Sequence, residues 1–143
     1  MSFLFDKIDI FLLKDVKNSS EEFPLPTILK KENLFIKINT NEGIFGVGEP
    51  SQYYNDNKKL INLFKDLYST FLFKKKILNY FKIRNHIANL NIDNFEKSLV
   101  LSAFTQAYYD LYSKFLNKPT YEVINKNKKF YKKKIPLYAS GGM

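Results

Sequence analysis

Leu34-Phe35-Ile36-Lys37-Ile38-Asn39-Thr40-Asn41-Glu42-Gly43-Ile44-Phe45-Gly46-Val47-Gly48-Glu49-Pro50 is the stretch on which the fold turns. Leu34, Ile36 and Ile38 alternate with Phe35, Lys37 and Asn39. Period-two alternation with β-branched residues reads as a half-buried strand. Asn41-Glu42-Gly43 then supplies a turn, and Gly43 can take the positive φ that a short hairpin loop requires. The chain returns through Ile44-Phe45-Gly46-Val47. Gly46 and Gly48 leave room for another backbone to approach closely, and Pro50, with no ladder donor, ends the pairing.

Working outward, 7–16 reads as a strand with Ile8, Ile10 and Leu12 on one face. Phe11 and Leu13, on the other, suggest a cover at one end. Residues 17–29 read as a loop, because Asn18, Ser19 and Ser20 form turns and Pro24-Leu25-Pro26 forbids both helix interior and central strand. The three strands make an antiparallel meander. A second loop, 52–55, carries Tyr53 and Tyr54. Asn55 or Asp56 can cap the helix that follows, where Leu60, Phe64, Leu67 and Phe71 recur at helical spacing through about Leu72. Lys74 to Lys76 interrupt the pattern. Ile77, Tyr80, Phe81, Arg84 and Ile87 then suggest a second helix.

Asp93-Asn94-Phe95-Glu96 resembles a capping box with Asp93 as cap and Glu96 reaching back. The helix it opens carries Val100, Phe104, Ala107, Leu111 and Phe115 on one stripe, supported by Leu101, Tyr108 and Tyr112. Asn117 suits a left-handed cap, and Pro119 can open a short helix through Ile124. No linker, internal repeat or low-complexity segment divides the chain. The class is α+β: a three-stranded antiparallel meander followed by a helical bundle.

The hairpin from Thr40 to Glu49 resembles that of the N-terminal cap domain in the mandelate racemase and muconate lactonizing branch of the enolase superfamily, roughly Thr-x-x-Gly-x-x-Gly-x-Gly-Glu. Ala103, Ala107, Asp110, Leu111, Lys114, Pro119 and Tyr121 match that family's helix and its exit. Tyr109 stands for the usual tryptophan and Ser113 for the glycine before Lys114. Val123-Ile124-Asn125-Lys126 departs from the usual Leu-Leu-Gly-Gly. Ile135-Pro136-Leu137-Tyr138-Ala139-Ser140-Gly141 resembles the opening strand of the family's catalytic barrel. The matches cover most of the chain and run in the family's order. They imply a cap domain at 1–134 and the start of a (β/α) barrel at 135–143.

The resemblance also implies a chemistry: magnesium-assisted removal of a proton α to a carboxylate, in a racemase, epimerase or dehydratase acting on a hydroxy acid or sugar acid. Its metal ligands and bases lie on later barrel strands. No catalytic and no metal residue is therefore carried over, the magnesium belongs to the parent enzyme, and the chain alone is expected to be inactive. In the family, loops after the first strand and after the hairpin close over the barrel mouth; here those are 17–27 and 50–55. The substrate-facing candidates are Phe23, Gln52, Tyr53 and Tyr54, with Ser140 at the end of the first barrel strand. A homo-oligomeric parent is the family expectation.

Composition sets the alternative. Hydrophobic residues at 45% and charged residues at 26% favour a core over a disordered chain. The absence of cysteine removes disulfides and thiolate metal sites. No apolar run reaches the ~20 residues of a membrane span and the first residues lack a signal pattern, so a cytoplasmic setting is expected. The net charge is +9, which admits a lysine-rich, non-enzymatic module for nucleic acid or another polyanion. Arg84 is the sole arginine, whereas readers of phosphate and guanine enrich that residue. Among other candidates, His86 has no second histidine to share a metal. Asp110 and Lys114 stand in the acid-first order of a helix ion pair, which a contact with the barrel could replace. Glu49 is a general acid or base only if it faces a cleft, and closing the hairpin is the simpler role. Residues 126–134, with Phe130 and Tyr131 among lysines, read as a connection or a polyanion patch.

Overall fold

The computed structural model describes residues 4–14, 32–50, 56–76 and 80–125. Three strands, β1 (Phe5–Lys14), β2 (Glu32–Thr40) and β3 (Phe45–Gly48), form one antiparallel sheet in the order β1-β2-β3. Ile10 lies opposite Ile36, and Ile36 opposite Gly48. The turn runs as expected: Gly43 has φ +78° and donates its N–H to Thr40 O at 3.0 Å. Leu34, Ile36 and Ile38 point into the core from β2, joined by Thr40, whose hydroxyl donates to Ile44 O at 2.9 Å.

The helices α1 (Asn57–Leu67), α2 (Tyr80–Ala88), α3 (Asn94–Leu116) and α4 (Thr120–Ile124) follow. Asp56 caps α1 by accepting from Lys59 N at 3.0 Å. The last turn before Phe73, Tyr68–Leu72, widens to π geometry, with Phe73 N donating to Tyr68 O at 2.8 Å. Asp93 caps α3 through Phe95 N at 2.7 Å. At the other end Asn117 is left-handed (φ 49°), and Lys118 N and Asn117 N bond the carbonyls of Ser113 and Lys114. Glu96, expected in the capping box, is buried and ion-pairs with Lys59 of α1, so it ties two helices together.

The core lies between the inner sheet face and α3, with α1 and α2 closing it. Phe64 and Phe104 meet at 5.7 Å between ring centroids. Three expectations shift. Phe11 and Leu13 are about half exposed, with no cover among the described residues. In α2 the buried pair is Ile83 and Ile87, four apart on one face, while Phe81 and Arg84 face outward. Phe115 lies past the region where α3 meets the sheet and is exposed; Leu99 and Ala103 complete the stripe instead.

Candidate functional site at the loop-bearing end of the sheet

The antiparallel order decides where the two candidate loops attach. Lys14 ends β1 and Glu32 opens β2; Gly48 ends β3 and Asp56 precedes α1. All four lie at one end of the sheet. Lys14 Nζ reaches Glu32 Oε1 at 3.1 Å, and Asn57 Nδ2 donates to Glu32 Oε2 at 2.9 Å. Glu32 therefore joins the flank of the first loop to that of the second. Phe23, Gln52, Tyr53, Tyr54 and Ser140 lie outside the described residues, as do 126–134 and the segment 135–143; the structure brings together the residues that flank the loops.

The third strand at this end is held by the long helix. A Cβ at Gly46 would stand 1.9 Å from Ala107 O, and one at Gly48 would stand 1.9 Å from Ala103 O. Glycine at both positions is thus what lets β3 lie directly on the backbone of α3, with alanines on the helix side. A row of polar side chains beside those alanines then bonds the outer edge of β3. Gln106 clamps the Glu49 peptide twice, accepting from its N–H at 3.2 Å and donating to its carbonyl at 2.9 Å. Asp110 Oδ2 accepts from Val47 N at 3.0 Å. Lys114 Nζ donates to Phe45 O at 3.0 Å and pairs with Asp110 at 2.7 Å. The ion pair expected from the spacing is present, and its larger role is to finish a sheet edge. Glu49, singled out for its carboxylate, is anchored by its backbone, immediately before Pro50 and the second loop.

The titratable groups of the described residues do structural work. His86 stacks on Phe71 with centroids 3.8 Å apart, and burial, then Lys75, lowers its pKa below the usual imidazole value. Burial pushes the Tyr68 hydroxyl up to about 12, with nearby Asp6 adding to it. Burial likewise raises Tyr108 and Tyr109, which pack with Tyr80. Among the described residues no three His, Cys, Asp or Glu side chains are grouped to hold a metal ion, and no helix is long and apolar enough to cross a membrane. The Asn33 Oδ1, one residue inside β2 from the first loop, is buried without a hydrogen-bond partner among the described residues.

No protein-family model matches the sequence, and no curated protein matches it. Solved structures do. The chain is similar to a candidate dehydratase from Zymomonas mobilis (24% identity, TM-score 0.68, 90% of this chain and 31% of that one). It is similar to a candidate mandelate racemase from Bordetella bronchiseptica complexed with 2-oxoglutarate/phosphate (19%, 0.69, 85% and 32%). It is also similar to an enolase from Agrobacterium radiobacter, a candidate galactarate dehydratase with Na and L-malate bound (20%, 0.64, 84% and 27%). This is the N-terminal fold of the mandelate racemase/muconate lactonizing enzyme proteins. The chain spans about a third or less of the length of these solved mandelate racemase-like chains.

Sequence reasoning missed the clamp by Gln106. Its signal was available: Gln106, Asp110 and Lys114 stand four apart, alongside Ala103 and Ala107. An i, i+4, i+8 polar row flanking a small-residue row is the face an edge strand can use.

Proposed function

We propose that the chain is the substrate-capping N-terminal domain of a mandelate racemase-like enzyme of the enolase superfamily. The parent is a magnesium-dependent dehydratase, racemase or epimerase of sugar acids or hydroxy acids. The observation that carries this reading is the attachment of both candidate loops at one end of the sheet, where Glu32 and the Gln106 clamp fix their flanking residues. Loops that select a ligand need rigid ends, and this end of the fold supplies them. Two of the similar structures hold carboxylic acids, L-malate, a hydroxy acid, and 2-oxoglutarate, a keto acid.

The residues of this chain bind and enclose; they do not transfer the proton. Tyr53 and Tyr54, with Phe23 and Gln52, supply apolar walls and hydroxyl or amide donors to the hydroxyls of the acid. The parent's magnesium would be held by barrel residues outside this chain and would supply stabilisation of negative charge on the substrate. A domain exchange tests the reading. This chain replaces the corresponding segment of the Zymomonas mobilis relative, and the chimera is assayed with magnesium against hydroxy acids and sugar acids. The 143-residue chain alone is expected to show no turnover. In the chimera, Tyr53→Ala and Tyr54→Ala are expected to raise KM more than they lower kcat. A folded chimera whose substrate preference ignores both loops would overturn the capping role.

A further inference from the structure

At its C-terminal end α3 gives way to a sharp corner. Asn117 is left-handed, Pro119 is extended (φ −58°, ψ 142°), and α4 packs back against α3. The corner holds a cleft of about 330 Å³, lined by Asp110, Ser113 and Lys114 from α3 and by Asn117, Lys118 and Thr120 beyond it. It lies at the far end of β3 from the candidate loops: Lys114 serves Phe45, whereas Gln106, about 12 Å back along the helix, serves Glu49. Two charges in its wall are already engaged. Asp110 Oδ2 accepts from Lys114 Nζ at 2.7 Å and from Val47 N at 3.0 Å, and Lys114 Nζ also donates to Phe45 O. Lys118 makes no ion pair among the described residues, so the cleft carries one uncompensated positive charge. The donors beside it are unengaged as well. The Ser113 hydroxyl is buried without a partner, and no described group bonds the side chains of Asn117 or Thr120. The carbonyls of Ser113 and Lys114, by contrast, are taken by Lys118 N and Asn117 N. A buried hydroxyl left unpaired carries a desolvation cost that a ligand oxygen would relieve.

We propose that this cleft binds a phosphate group, free or carried on a small monoester. Lys118 supplies the charge, and Ser113, Asn117 and Thr120 donate to the phosphate oxygens. Lysine meets phosphate as a point charge, whereas a planar carboxylate is matched best by the arginine fork, and no arginine lines the cleft. The donors come from the last turn of α3, from its left-handed cap and from the start of α4. Donors set on three different pieces of backbone suit a tetrahedral oxyanion better than a planar one. The volume falls at the small end of ligand sites, which run from about 300 to about 1,000 Å³. Asp110 does not oppose the anion, because Lys114 and the Val47 N–H already offset its charge. The cleft is separate from the capping role: it uses neither candidate loop, and its occupancy is read without any turnover assay.

Amide NMR of the isotope-labelled chain is the test, at a constant ionic strength of about 0.15 M. The probes are inorganic phosphate, glycerol 3-phosphate and malonate. One or both phosphates should saturate with a Kd of about 1 mM or below and shift the amides of Ser113, Lys118 and Thr120; the tighter of the two names the source. Malonate, which offers only planar carboxylates, should bind about tenfold more weakly or worse. Lys118→Gln should raise the phosphate Kd about tenfold or more, and Ser113→Ala and Thr120→Ala should each weaken binding. Lys82→Gln removes the same charge from an exposed site on α2 and should leave the Kd unchanged. Shifts that do not saturate, or that malonate reproduces at equal strength, overturn the proposal. So does a Kd that ignores Lys118→Gln, or one that Lys82→Gln raises as much, since the anion would then answer only to the net charge of +9. If Ser113→Ala, at a buried position, fails to fold, Lys118→Gln and Thr120→Ala decide.

Discussion

Placing a methyl group on Gly46 or Gly48 tests the contact that orders this domain. The added Cβ would stand 1.9 Å from the carbonyl oxygen of Ala107 or Ala103. Ordinary contact needs about 3.5 Å, so strand and helix would have to separate by about 1.5 Å. Neither neighbour is a flexible side-chain tip; both are backbone in the middle of a 23-residue helix. The separation would also stretch the 3.0 Å bonds from Val47 N to Asp110 and from Lys114 to Phe45 O beyond hydrogen-bond range. Overpacking costs about 1–3 kcal/mol, and each partly exposed bond lost adds about 1 kcal/mol. Gly46→Ala and Gly48→Ala should each cost about 3–5 kcal/mol, a large share of a typical domain's about 5–15 kcal/mol.

Gly43→Ala is the comparison. Gly43 has φ +78° and nothing within 4 Å of an added Cβ, so only left-handed strain is incurred, about 1–2 kcal/mol. Urea unfolding followed by circular dichroism reads all three. Ala107→Gly should not rescue Gly46→Ala, because the atom struck is the carbonyl oxygen that every residue carries. If Gly46→Ala and Gly48→Ala are no worse than Gly43→Ala, the close approach of β3 to α3 is not the reason for these glycines.

Leu111→Ala, at a position 1% exposed, should cost about 2–5 kcal/mol, whereas Phe115→Ala should cost under about 1 kcal/mol; the reverse order in urea would mean that the helix phase is wrong. His86 has a folded-state pKa below its unfolded value of about 6.5, so the unfolded chain binds the proton more readily and stability falls as pH drops from about 6.5 through the folded value. His86→Phe, which keeps a ring against Phe71, should flatten the part of the profile that lies below about pH 6.5; an unchanged slope assigns it to other groups. Gln106→Ala should speed amide exchange at Glu49 while leaving Ile36 protected and costing about 1 kcal/mol; equal exchange in both proteins would remove the clamp from the argument.

Much of the architecture was legible because its determinants are local. The alternation from Leu34 to Ile38, the positive-φ demand on Gly43, the Asp93 cap and the left-handed Asn117 each state a backbone conformation within a few residues. The phase of α2 was harder to read. Tyr80, Phe81, Ile83, Arg84 and Ile87 offer apolar atoms on more than half of a short helix, and only the position of α3 chooses Ile83 and Ile87. Burial of Glu96 was likewise invisible, since its partner Lys59 lies 37 positions earlier and a capping box explains the residue just as well. At the candidate site, the flanking residues Lys14, Glu32 and Glu49 could be placed from topology; the bond of Glu32 to Asn57 is long-range and leaves no periodic trace, whereas the partner of Glu49 sits in the four-residue polar row Gln106, Asp110 and Lys114, which marks a face without naming the strand that uses it.

The polar row on α3 also accounts for the length of β3. Four residues of helix advance about 6.0 Å, and two residues of strand about 6.8 Å. A helix side chain every fourth residue therefore follows an antiparallel strand edge every second residue, slipping by about 0.8 Å at each step. Gln106, Asp110 and Lys114 serve Glu49, Val47 and Phe45, which is two steps and about 1.6 Å of accumulated slip. Rotating long side chains absorb that much; a further step would leave an edge amide out of reach. The chain avoids the further step with Pro50, which follows Glu49, has no N–H to satisfy and is itself buried. The same proline begins the second candidate loop. The place where the helix can no longer act as a surrogate strand is thus the place where the chain leaves the sheet edge, and Gln106 is the last of the three side chains that hold it there.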